Sequence, residues 1–515
     1  MKKVLVLLTV LALLMTSLVM AGAEGEYPYD GTNDPIRILM VAESRCVSLG
    51  YNTWSETPYF KTWVEKSGIN AETIEVADDA GIMLQLSSGD IPDVIMIYQS
   101  AYNGGLAKMI DEGLAIALDD YAEYMPDYLA ILDSHPSYRP YVTYQGGIRF
   151  FANLISSDNI VSRWRGMVVR KDMLEALNME VPTNVDEFHD LLTAMKEDLG
   201  VEVPLMGNMW RDVLLYEGFA ATEFGIPCID KYQIDGEYHI GAFEEGFRGL
   251  VAYYNMLYNE GLLDPNFKTT DEATSQASLL NGTTGVHPTT GARINTISAK
   301  TDDPNFELVG IGSLNGTDGT RAMFSQLDAL TPSRINIYVT SDSKQPELAV
   351  AFFNWLYTDE GIDIANFGPE GVCFTYDENG KPVPTDYMLN NPELSFDNML
   401  YALSMANRPT YVTNDISLYR FAAPAQRAAM EVWDQNDASL YKLPSFSIED
   451  TAKADEAANL WTDINTYIKE CSVKFISGEM NTEEDFDAYI EELKTMGIER
   501  YIEIQQEALD AYNNK

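Results

Sequence analysis

The sequence predicts an α/β fold of two lobes, each a mostly parallel sheet flanked by helices, with extra helices at the C-terminal end. Three observations lead there. Strand-period and helix-period segments alternate from Ile36 to Gly113, which is the pattern of repeated βα units. With 515 residues, 46% of them apolar and 11% aromatic, the chain can fill two separate cores. No low-complexity linker interrupts it, so short crossovers rather than a tether join the lobes.

Taken in order, Lys2 and Lys3 precede the apolar run Val4–Met20, and Ala21 and Ala23 fill the small-residue positions of a signal-peptidase site. Residues 1–23 are therefore expected to be an export signal, either cleaved or retained as an anchor. After the lead-in "EGEYPYDGTNDP", the run "IRILMVA" reads as a buried strand. "PYFKTWVEKSG" reads as a helix with Pro58 at its first position, Phe60, Trp63 and Val64 on one face, and Gly68 as its stop. "ETIEVA" is the next strand. "AGIMLQLSSGDIPDVIMIY" gives a helix, a turn and a strand ending at Tyr98, and "GGLAKMIDEG" is a helix closed by Gly113. Ligands of such sheets sit beyond the carboxyl ends of the strands, which makes Tyr98, Gln99 and Tyr102 candidates for contact.

A second series opens with "RGMVVRKDMLEALNMEVPTNVDEFHDLLTAMKEDLG". Met167, Val168 and Val169 form a strand, and a short helix follows until Pro182 forces extended backbone before it. The next helix is expected to start from Thr183, with Asp186 at capping-box spacing and Phe188, Leu191, Leu192 and Met195 on one face. "NGTTGVHPTTGARIN" reads as turn, strand and loop. Trp355 and Trp63 fall on regular apolar helix faces and are expected in the core. At the end, "TEEDFDAYIEELKTMG" reads as a helix from Thr482 that stops at Gly497.

The net charge of -45, from 34 basic and 79 acidic residues, excludes a nucleic-acid partner, because such binding rests on Lys and Arg neutralising phosphates. Four cysteines lie far apart without metal-ligand spacing, and the four histidines are scattered. No HExxH, GxSxG or GxxxxGK motif is present, so neither a zinc hydrolase, a serine hydrolase nor a nucleotide-binding site is expected. No cofactor or metal is expected. Paired carboxylates of a glycosidase stay open, because spacing in sequence does not report their separation in space.

The order of segments resembles extracellular solute-binding protein family 1, the substrate-capturing components of ABC transporters for sugars, and within it the lipoprotein-type subgroup. The resemblance rests on "SSGDIPDVIMI", "GLAIALDDYAEYMPDY", "VVRKDMLEALNMEVPTNVDEF", "YNEGLLDPNF", "ASLLNGTTGV" and "PELAVAFFNWLYTDEGIDIANFGPEGV" in the family's order. It implies a periplasmic-binding-protein-like fold of type II. The implied division is lobe 1 over 24–160, lobe 2 over 161–324, a return to lobe 1 over 325–372, and 373–515 mainly in lobe 2 and a helical C-terminal extension. Two departures stand out. Ala23 occupies the place of a lipobox cysteine, which counts against a lipid anchor on an exported, extracellular or cell-surface protein. "MKEDLGVEVPL" is too short and too poor in oxygen ligands for the calcium loop of some relatives.

The implied function is capture of a sugar or oligosaccharide between the lobes by hinge closure, without catalysis, and delivery to ABC permease subunits. Closure follows if only the closed state contacts the ligand with both lobes. The protein is expected to be a monomer. Sugar recognition needs aromatic faces together with amide, carboxylate and guanidinium groups. The candidates are Trp164 at the lobe crossover, Trp210 and Arg211 in the loop before a helix, and Trp54 and Glu43 beyond the first strand. Asn153, His287 and Arg293, in loops, complete the set. The alternatives are an exported carbohydrate-active enzyme, or a binding protein for a peptide or other non-sugar solute.

Overall fold

The computed structural model of the chain describes residues 27–514, apart from 103, 136, 157–158, 160–163, 208–210, 323–334, 436, 445 and 447. Its two main sheets use seven strands: β1 (Ile36–Val41), β2 (Ala71–Val76), β3 (Val94–Tyr98), β4 (Arg165–Arg170), β5 (Val286–Thr290), β6 (Leu308–Ile311) and β7 (Ile335–Val339). The chain forms two compact units, of which unit 1 holds the described residues up to Leu154 and from 335 to Val412, and unit 2 the remainder. The last crossing, expected at 372/373, follows Val412. The reason is local: Cys373, Phe374, Met399 and Leu400 are buried, which ties that stretch into the packing of unit 1.

Unit 1 carries a four-stranded sheet in the order β7-β3-β1-β2. β1 runs parallel to β2 and β3, and β7 pairs antiparallel with β3. Ile38, Leu39 and Met40 are all buried, as both faces of a helix-covered parallel sheet must be. The helix Pro58–Ser67 makes the first crossover. Thr57 caps it by accepting from the Phe60 amide at 3.3 Å, Pro58 needs no hydrogen-bond partner there, and Gly68 ends it at φ 66°. A side chain at Gly68 would lie 2.1 Å from the Tyr29 carbonyl oxygen, so only glycine fits. Trp63 stacks on Phe352 at 4.0 Å and donates to that residue's carbonyl at 3.0 Å, which locks this helix onto the helix Pro346–Asn354. Trp355 is buried as well.

In unit 2 the three strands lie in the order β5-β4-β6, and β4 is antiparallel to both neighbours. Parallel pairing enters through bridges from Leu205 to Leu263 and to Val286. The long connection from β4 to β5 passes through several helices and so imposes no strand direction, which is where this unit differs from a mostly parallel sheet. Phe188, Leu191, Leu192 and Met195 on the helix Val185–Glu197 share one core with the C-terminal helices Thr451–Ser477, Phe486–Thr495 and Ile498–Asn513. The cap of the first of these helices is Asn184 rather than Thr183. Its amide oxygen accepts from the Glu187 amide at 2.9 Å, while Glu187 reaches back to the Thr183 amide at 2.8 Å. Likewise Asp485, not Thr482, stands at the cap of Phe486–Thr495. All four cysteines are free and buried. No described helix is long and apolar enough to cross a membrane.

Candidate ligand-binding site

The parallel strands of unit 1 end at a pocket of about 460 Å³. Met40, Val41, Met96 and Ile97 of β1 and β3 line it, and the turns after β1 and β2 bring Glu43, Arg45, Asp78 and Asp79 to it. Tyr98, at the end of β3, joins Tyr401 from within the helix Phe396–Leu403 and Asn407 and Arg408 from beyond it. Position and size are those of a small-molecule site in an open α/β sheet.

Glu43 organises the polar part of the pocket. Only 7% exposed, it places one oxygen 2.9 Å from Nη1 of Arg45 and the other 2.9 Å from Nη2 of Arg408. Each guanidinium also lies over an aromatic ring, Arg45 at 4.3 Å from the centre of Tyr401 and Arg408 at 4.6 Å from that of Trp54. Flat, charged forks held by a carboxylate and a π face are fixed in direction, which a lysine would not achieve. Asn407 has φ 64°, a left-handed conformation that asparagine tolerates better than most residues, and its amide donates to the Tyr98 hydroxyl at 3.1 Å. Two tyrosine rings, an amide and guanidinium edges therefore face one space.

Unit 2 presents a second constellation at the start of β4. Arg165 lies with its guanidinium 4.7 Å from the centre of the half-buried Trp164 ring, pairs with Glu217, and reaches Asp212 at 3.4 Å. Asp212 belongs to a π-helical stretch, Arg211–Tyr216, a geometry that is rare and concentrated at functional sites. Burial pushes the Glu217 carboxyl up to about 7, and Arg165 opposes that shift only in part. The Glu217 Oε2 atom has no partner among the described residues.

The expected contact residues separate accordingly. Glu43 and Tyr98 line the unit 1 pocket. Trp54 is fully buried beneath Arg408, packed on Tyr59 and Phe60, so it supports the pocket rather than facing it. Gln99 is half-buried in a single turn beyond β3 and does not line the pocket. Tyr102 borders a different cavity of about 480 Å³, where its hydroxyl donates to Glu112. Asn153 is buried and donates to the Arg408 carbonyl, holding that segment. Trp210 lies outside the described residues, and Arg211 opens the π-helical stretch.

His287 and Arg293, expected in loops, lie in regular structure. His287 is inside β5, fully buried, with neither ring nitrogen partnered among the described residues. Burial, aided by Arg293, pushes its imidazole down to about 4. Thr290 caps the helix Gly291–Ser298 through the Arg293 amide at 3.3 Å, and the Arg293 side chain pairs with Glu272 at 2.8 Å. Sequence reasoning singled out neither Tyr401, Asn407 nor Arg408. Their one local signal is the Asn-Arg-Pro turn at 407–409.

The family described as bacterial extracellular solute-binding protein matches residues 53–363. The polygalacturonan/rhamnogalacturonan-binding protein YtcQ of Bacillus subtilis is 20% identical over 435 residues, 82% of this chain and 81% of that one. The fructooligosaccharide ABC transporter substrate-binding protein FusA of Streptococcus pneumoniae is 23% identical over 459 residues, 83% and 82% of the two chains. Among solved structures, a solute-binding protein from Bifidobacterium longum infantis superposes with a TM-score of 0.73 at 17% identity, covering 93% of this chain and 99% of the other. That likeness shows a shared fold of helix-flanked sheets.

Proposed function

The chain belongs to the bacterial extracellular solute-binding protein family, and from that premise we propose that it captures an oligosaccharide outside the cell for an ABC importer. Like its family, it works by binding and not by catalysis. The observation that carries the reading is the unit 1 pocket, where Tyr98 and Tyr401 supply ring faces and Arg45, Asn407 and Arg408 supply donors for hydroxyl groups. Within unit 2, Arg165 lies against the half-buried Trp164 ring, an arrangement of the same chemical type. YtcQ, named for a uronate-containing polymer, and FusA, named for neutral fructooligosaccharides, both support a saccharide ligand and differ in its charge. The partners are separately encoded permease subunits, and the capture protein acts as a monomer.

Thermal melts of the purified protein against a panel of oligosaccharides test this. A bound ligand raises Tm by mass action and is recovered intact by mass spectrometry. A panel with no stabilising saccharide, or recovery of cleaved products, would overturn the reading.

A further inference from the structure

We propose that the ligand is an uncharged oligosaccharide and that the unit 1 pocket discriminates against uronates of the same linkage. The inference rests on the reading of that pocket as the ligand site and names the charge class it accepts.

Holding a ligand carboxylate in a pocket takes a cation whose charge and fork are free to meet it. Here both guanidiniums are already committed to the protein. Arg45 gives Nη1 to Glu43 and Nε to Asn398 Oδ1 at 2.9 Å, and rests its face on Tyr401. Arg408 gives Nη2 to Glu43 and Nη1 to the Tyr401 carbonyl at 3.0 Å, and rests its face on Trp54. Their remaining N–H groups can still donate to hydroxyls, but Glu43 compensates the charge behind them.

The lining also includes Asp78 and Asp79, both exposed, so that two guanidiniums stand among three carboxylates. Asp78 also accepts from the Gly81 amide at 2.9 Å, so the chain's own carboxylate takes the place an anion would seek at the start of the helix Asp79–Ser87. Carboxylates accept hydrogen bonds and do not donate, which suits sugar hydroxyls and repels a uronate. In unit 2 the guanidinium beside Trp164 is likewise committed to the protein, with Arg165 paired to Glu217 and Asp212. The net charge of -45 extends the repulsion to the approach of an acidic polymer.

The test uses matched pairs on the full mature chain: galacturonate trimers and tetramers against the same oligomers with carboxyl groups reduced to alcohols, beside neutral fructo-, manno- and gluco-oligosaccharides. Isothermal titration is run at low and at physiological salt. The expected result is that neutral saccharides bind, that every uronate binds at least about tenfold more weakly than its reduced twin or the best neutral ligand, and that the neutral affinity does not move with salt. A uronate that binds as tightly as its reduced twin, or more tightly, overturns the inference while leaving saccharide capture standing. If no saccharide of either class binds, the functional reading falls and the inference falls with it.

Discussion

The guanidinium of Arg408 lies 4.6 Å from the centre of the Trp54 ring while its Nη2 holds the Glu43 carboxylate at 2.9 Å, and all three side chains are buried. Removing Arg408 leaves one buried oxygen of Glu43 without its cation, while Arg45 still holds the other. Arg408→Met is therefore expected to destabilise the protein by about 3 kcal/mol or more, and the double variant Glu43→Gln/Arg408→Met to recover part of the loss. Denaturant unfolding of the four-protein cycle checks it, and a strictly additive double variant would mean that the pair is not coupled.

Tyr401 is half-buried and carries Arg45 on its ring, so it bears on binding more than on folding. Tyr401→Ala should weaken oligosaccharide affinity about tenfold, through loss of a stacking face and of Arg45's alignment, and Tyr401→Phe should retain most of it. Titration calorimetry with the best ligand of the panel gives the answer. Equal affinities for wild type and Tyr401→Ala would remove Tyr401 from the ligand's surroundings.

Two buried groups of unit 2 make opposite demands on pH. Burial raises the Glu217 carboxyl from 4.5 to about 7, so its contribution to stability is full below pH 4.5 and is lost as pH rises through 7. Burial lowers the His287 imidazole from 6.5 to about 4, so its contribution is full above pH 6.5 and is lost as pH falls through 4. Between pH 4.5 and 6.5 the two slopes cancel. Glu217→Gln should unmask the histidine, giving a variant whose unfolding free energy falls by roughly 1.4 kcal/mol per pH unit on acidification, relative to wild type. Urea titrations at several pH values measure this, and parallel profiles for the two proteins would refute it.

Gly218 follows Glu217 at φ 78°, and a Cβ there would lie 1.9 Å from the Pro227 carbonyl oxygen. Gly218→Ala combines left-handed strain with a clash against backbone, and is expected to cost about 3 kcal/mol or more. A Tm close to that of wild type would show that the backbone relaxes there at little cost.

Periodicity made much of the fold legible. The face Phe188, Leu191, Leu192, Met195 repeats at helical spacing and is buried as that spacing requires. The cap slipped from Thr183 to Asn184 because both side chains can cap and only their reach to the Glu187 amide decides. His287 was misplaced because "HPTTG" carries the marks of a loop. Pro288 is accommodated on β5, which pairs with β4 along one edge, and Thr290 spends its hydroxyl on a helix start. The pocket was legible only where a strand ends, at Glu43 and Tyr98. Arg408 is 365 residues from the Glu43 it pairs with, and no local pattern encodes a contact across that distance.

The four buried thiols fall two to each unit, Cys46 and Cys373 in unit 1 and Cys228 and Cys471 in unit 2. Burial pushes Cys46 up to about 11 and Cys373 up to about 12, so in the folded protein neither offers thiolate to an alkylating agent at neutral pH. The chain thus carries native footprinting sites in both units. Pulse alkylation during denaturation, read peptide by peptide, would report separately when each core opens, with no substitution made in the sequence.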